Sequence, residues 1–167
     1  RRERFARAHG LPAERTFADH EALFAEGQLA DGLINATMDQ QHVETTLGAL
    51  AAGYDVLLEK PMATTPHDCV RLVHAAESTG QMLQICHVMR YSPFYTTLYE
   101  TLRSGAVGEV MVGDHRENVA FWHQAHSFVR GNWGNSSRAA PMILAKSCHD
   151  MDILYWLLDK RVEALSS

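Results

Sequence analysis

The stretch YDVLLEKPMATTPHDCVRLVHAAESTGQMLQICH, residues 54–87, decides the fold. Val56-Leu57-Leu58 is apolar at every position, the pattern of a strand covered on both faces, and it stops at Glu59-Lys60-Pro61. A helix start follows at once. Thr65 supplies the cap, Pro66 suits the first helical position, and Asp68 completes a capping box with Thr65. Cys69, Leu72, Val73 and Ala76 then recur as one apolar stripe, and Gly80 ends the helix. A further strand runs from Met82 to Cys86 and into His87. Strand, helix and strand at this spacing predict parallel strands joined by a right-handed crossover.

Outward toward the N-terminus, residues 32–36 (Gly-Leu-Ile-Asn-Ala) form another short apolar run that ends in Thr37-Met38-Asp39. Asp39 is placed to cap a helix carrying Val43, Leu47 and Leu50, and Gly53 to close it in a left-handed conformation. The chain opens on an arginine-rich helical pattern without Met, and a preceding part is expected. Outward toward the C-terminus, a helix is predicted near Pro93–Arg103, then a strand-like run from Val110 to Phe121. A Trp-, His- and Asn-rich loop follows over 122–138, with Gly131, Gly134 and Asn135 as turn points. A last helix is expected over about Ser147–Leu158, with a strand beginning in Arg161–Ser167. The change of character places a domain boundary between residues 1–90 and 91–167.

The composition bounds the function. With a formal net charge of −5 and scattered basic residues, a nucleic-acid partner has no footprint. The densest basic patch, Arg1, Arg2, Arg4 and Arg7, reads as a solvated helix face. Cys69, Cys86 and Cys148 are odd in number and lack metal or CxxC spacing, which predicts free thiols in a reducing, cytoplasmic compartment. No apolar run reaches the roughly 18 residues of a membrane span, so no membrane partner is expected. The pair His123 and His126 in an aromatic loop reads as stacking or hydrogen-bonding groups, and no metal is expected. No glycine-rich phosphate loop occurs in the sequence.

Ligands of open parallel sheets bind beyond the carboxyl ends of the strands. Three successive strands end here in reactive residues: Thr37 and Asp39, Glu59 and Lys60, then His87 and Arg90. Lys60 reads either as a cation that orients a substrate hydroxyl or as a surface lysine paired with Glu59. Lys146, His149 and Asp152, at i, i+3 and i+6, share one 120° arc of a helix, opposite Met151, Leu154, Tyr155 and Leu158. That stripe either faces a cleft, where histidine suits proton transfer, or is a solvated face.

These residues resemble a known family. Asp55 to Ala63, with its Glu59-Lys60-Pro61 core, is similar to the Glu-Lys-Pro segment of the glucose–fructose oxidoreductase, inositol dehydrogenase and MocA family (Gfo/Idh/MocA). Ala36-Thr37 with His42, and Cys148-His149-Asp150-Met151-Asp152, resemble two further segments in the same order. The resemblance implies an α/β fold: an incomplete Rossmann parallel sheet, then the start of an α/β domain with an open, mostly antiparallel sheet. It implies NAD or NADP as cofactor, a small-molecule sugar, polyol or cyclitol as substrate, and a homo-oligomer. Lys60 and His149 are then catalytic, with Lys146 standing beside Ala145, where many members carry an Asp. Asp152, Lys60 and His149 contact substrate, while Thr37, His42, Glu59, Lys60 and Arg90 line the cofactor cleft. Thr37-Met38-Asp39 stands where many members read Thr-Pro-Asn. The activity implied is hydride transfer to or from a secondary alcohol. A glycosidase that uses held NAD, and a non-catalytic dinucleotide-binding module, are the alternatives.

Overall fold

A computed structural model describes residues 2–135, 137 and 139–166, without the side chain of Asn132. Its centre is a three-stranded parallel sheet in the order β1 (Gly32–Asn35), β2 (Asp55–Leu58), β3 (Leu83–Ile85). Helix α3 (His42–Ala51) connects β1 to β2, and α4 (Pro66–Thr79) connects β2 to β3. Preceding them are α1 (Arg2–Ala8) and α2 (His20–Ala25). The described part of the arginine-rich start is thus the exposed helix the sequence predicts.

The local signals of the deciding stretch hold. Thr65 Oγ1 accepts the Asp68 amide at 3.1 Å, the N-cap expected, while the reciprocal contact runs from the Thr65 hydroxyl to the Asp68 carboxylate at 2.7 Å and not from the Thr65 backbone N–H. Gly80 ends α4 at φ 72° and Gly53 follows α3 at φ 88°, backbone conformations that a Cβ disfavours. Leu50, Leu58 and Leu72 are fully buried in the core between sheet and helices, with Val43, Tyr54 and Val56 around them. Val73, placed on the apolar stripe, instead stands exposed, because α4 turns only its Leu72 side to the sheet.

One face of the sheet is covered and the other is open among the described residues. Ile34 is 71% exposed and Met82 62%, so the two-sided apolar pattern of these strands has a helix layer on one side here. Asp39 does not cap α3 as expected. It is buried in a short 3-10 turn, Asp39–Gln41, and its Oδ2 accepts the backbone N–H of Ala140 at 2.9 Å.

The second half departs further from expectation. Helix α5 (Pro93–Arg103) forms where predicted, capped by Ser92 on the Tyr95 amide. The strand expected over 110–121 does not form, and neither does one over 161–166; Ser167 lies outside the described residues. A strand is held by a hydrogen-bonded neighbour, and no described segment pairs with either run. The antiparallel sheet therefore has no counterpart among these residues. The aromatic loop is helical in part: α6 (Phe121–His123) runs into a π-helical turn at Gln124–Val129. The last helix, α7 (Met142–Leu158), starts five residues earlier than predicted. It packs on α5 through Trp156, stacked on Tyr99 at 4.3 Å between ring centroids.

Candidate functional site

The sheet register sets the site. Asn35 pairs with Leu58, and Leu58 with Ile85, so the three strands end level with one another. Thr37, Lys60 and His87 each follow two residues behind a strand end and leave the sheet on the same edge. Asn35 makes the first turn rigid. Its side-chain nitrogen donates to Thr46 Oγ1 at 2.9 Å, and its oxygen accepts both the hydroxyl and the amide of Thr37. His42 is buried, with Nδ1 2.8 Å from the Pro61 carbonyl and Nε2 3.1 Å from the Thr37 carbonyl. It ties the loop after β1 to the loop after β2 through these two carbonyls.

Glu59 and Lys60 leave β2 together. The Lys60 amide donates to Glu59 Oε2 at 3.1 Å, while the ammonium reaches across to α7 and donates to the Ala145 carbonyl at 2.9 Å. Lys60 is thus no surface partner of Glu59. Ala145 lies one helical turn before His149, about 6 Å along α7, close enough for the ammonium to disfavour a charged imidazole. The Lys60–Pro61 bond is cis.

The polar stripe of α7 faces inward and the apolar stripe outward, the reverse of the usual expectation for a surface helix. Met151 is 61% exposed and Tyr155 is exposed as well, while Asp150 and Ile153 are buried. The physical reason is that the two charged ends of the stripe, Lys146 and Asp152, each have a partner of opposite charge across the contact. Asp152 is clamped by Arg90, whose Nε and Nη2 donate at 2.7 and 2.6 Å. This fork-to-fork pair holds the Arg90 pKa above its ordinary value, and the guanidinium also lies over the Trp156 ring. Arg90 thereby ties the loop after β3 to α7. Lys146 pairs with Glu117 at 3.4 Å, and Asp150 with His115 Nε2 at 2.6 Å. His115 and Glu117 thereby tie this irregular segment to α7 at two points.

His149 stands between these charges. Burial, then the positive charge of Lys60, then His87 and Lys146, hold its pKa below the ordinary histidine value, with Asp150 opposing. Its Nδ1 is buried without a hydrogen-bond partner, and so is Nδ1 of His87, whose ring sits edge-on at 5.9 Å between centroids. A neutral imidazole beside a fixed ammonium, both at the edge of a parallel sheet, can take a proton from a hydroxyl whose oxygen the ammonium stabilises.

The structure sets Lys60 against α7, the helix that carries Lys146, His149 and Asp152, with Thr37 and Glu59 along the sheet edge. It leaves His42 in the core. The sequence marked His87 as a reactive strand-end residue without a role, and did not single out Asn35, His115 or Glu117. Asn35 had a signal, a lone amide inside an apolar strand run; His115 and Glu117 had only their alternation.

Residues 1–87 match a family profile described as an oxidoreductase family with an NAD-binding Rossmann fold. The inositol 2-dehydrogenase of Paracoccus denitrificans is 32% identical over 150 residues, covering 89% of this chain and 40% of that one. An inositol 2-dehydrogenase of Saccharopolyspora erythraea is 29% identical over 161 residues, covering 93% of this chain and 44% of that one. The chain thus spans less than half the length of these curated relatives. Among solved structures, the WlbA dehydrogenase of Bordetella pertussis, in complex with NADH and UDP-GlcNAcA, superposes with a TM-score of 0.73 at 25% identity over 94% of this chain and 44% of that one. The myo-inositol 2-dehydrogenase of Lactobacillus plantarum has the same fold, with a TM-score of 0.75 at 18% identity over 93% of this chain and 45% of that one.

Proposed function

Because the chain belongs to the Gfo/Idh/MocA oxidoreductase family, with its NAD-binding Rossmann fold, we propose that it carries the catalytic centre of a dehydrogenase acting on a secondary alcohol of a polyol, sugar or cyclitol. The observation that carries the reading is the junction of Lys60 with α7 one turn before His149. Inositol dehydrogenases among the relatives favour a cyclitol or a similar polyol over other alcohols.

The residues fit a nicotinamide cofactor at one end. Level parallel strand ends with Thr37, Glu59 and Lys60 form the edge where such sheets receive a dinucleotide. No glycine-rich phosphate loop occurs in the 167 residues, so these residues serve the nicotinamide end and not the pyrophosphate. When bound, the cofactor supplies the hydride acceptor. The chain's own groups do the rest. His149, neutral, takes the hydroxyl proton, and Lys60 stabilises the negative charge that grows on the oxygen. Arg90 and Asp152 fix α7, and Lys146, paired with Glu117, opposes charge on His149 less than Lys60 does.

The test is cofactor reduction by the full-length protein across a panel of cyclitols, sugars and acyclic polyols, with NAD and NADP compared. Turnover of at least one polyol is expected. Tight cofactor binding with no turnover across the panel contradicts the reading and favours a non-catalytic module.

A further inference from the structure

We propose that His87 is the relay partner of His149, carrying to solvent the proton that His149 takes from the substrate. The inference rests on the dehydrogenase reading and extends it to a residue outside the acid/base pair. Oxidation of a secondary alcohol breaks one C–H and one O–H bond. The electron pair of the C–H bond leaves with its hydrogen as hydride to the nicotinamide, the carbonyl forms, and the hydroxyl proton passes to His149. One proton per turnover must therefore reach water.

His149 is poorly placed to keep it. Lys60, from the loop after β2, and Lys146, on its own helix, both oppose a charged imidazole there; the Asp150 carboxylate is engaged by His115. The neighbouring ring is His87, from the loop after β3, at 5.9 Å and 82°. An in-line N–H···N bond of about 2.9 Å between two imidazoles puts their centroids about 5 Å apart, so a side-chain rotation that closes less than about 1 Å joins them. Each ring has a buried Nδ1 with no partner, and the only other such side-chain atom among the described residues is Thr45 Oγ1. A buried unpaired nitrogen costs about 1–3 kcal/mol, and two adjacent imidazoles that each carry one suit a transient bond that forms during turnover.

His87 also has what His149 lacks. Its Nδ1 is 4.0 Å from Asp152 Oδ2, and its side chain is 24% exposed. Burial above all disfavours a protonated His87, Asp152 favours it and Arg90 opposes it, so the proton rests there only briefly and leaves to water. The path is substrate hydroxyl, His149, His87, solvent.

The experiment is His87→Ala in the full-length protein, with cofactor and the alcohol that the wild type turns over best. The relay predicts that kcat falls about tenfold or more while KM for the alcohol changes less than about threefold. Added imidazole restores kcat in a concentration-dependent way, and the solvent deuterium isotope effect on kcat rises. Unchanged kcat overturns the proposal, and so does a loss that imidazole leaves unrepaired. Should His87→Ala fail to fold, His87→Gln keeps the polar contact and removes the relay; wild-type kcat in that variant overturns the proposal equally. Absence of wild-type turnover sinks the dehydrogenase reading and the relay with it, whereas wild-type turnover that His87 does not influence sinks the relay alone.

Discussion

Removing the Asp152 carboxylate tests how the site is held together. Asp152 accepts two charge-assisted bonds from Arg90, at 2.7 and 2.6 Å, with the Asp side chain 12% and the Arg side chain 36% exposed. Exposed ion pairs contribute about 0–1 kcal/mol, whereas breaking a fully buried one costs about 3–5 kcal/mol. The pair lies between these limits. Arg90 keeps a path to water and its stacking on Trp156, so its orphaned charge is partly relieved. Asp152→Ala is then expected to cost about 2–3 kcal/mol, and the coupling between Asp152→Ala and Arg90→Ala to be about 1.5–2 kcal/mol after the solvent discount. At about 2–4 °C per kcal/mol for a domain of this size, Asp152→Ala lowers Tm by roughly 4–12 °C. The assay is urea unfolding of wild type, both single variants and the double variant. Coupling below about 0.5 kcal/mol refutes the claim that this pair fixes α7 to the loop after β3.

Two further expectations follow from buried contacts. Asp39→Ala leaves the Ala140 N–H buried without its acceptor and costs about 1–3 kcal/mol in chemical denaturation; Asp39→Asn, which keeps an acceptor, costs less, and equal losses contradict the contact. Burial first, and then neighbouring positive charge, hold the pKa of His149 and His87 below that of a free histidine. The folded state therefore resists a proton that the unfolded chain accepts below about pH 6.5, so stability is full above that pH and falls as pH drops through and beneath it. His149→Gln flattens the slope of unfolding free energy between about pH 6.5 and 5, and an unaltered slope counts against a buried neutral His149.

The parallel sheet was legible because its signals are local. Thr65, Pro66 and Asp68 form a cap within four residues, and Gly53 and Gly80 stop helices through their own backbone freedom. Lys60 was legible as reactive but not as a partner of α7, since its contact with Ala145 spans 85 residues. Asp39 was misread for the same reason: a cap and a distant backbone amide compete for one carboxylate, and the distant amide won. The spacing of Lys146, His149 and Asp152 puts them on one side of α7, but which way that side faces depends on Arg90 and Glu117 arriving from elsewhere. The strand over 110–121 failed because apolar alternation specifies a strand only where a neighbour completes its hydrogen bonds.

The most direct measurement is a double-variant cycle on turnover, with Lys60→Ala, His149→Ala and both together in the full-length protein. Groups that act on one oxygen as a unit fail together. The account predicts that each single change lowers kcat by about 100-fold or more and that the double change is little worse than either. Losses that multiply as if independent, or wild-type kcat in either single variant, contradict it.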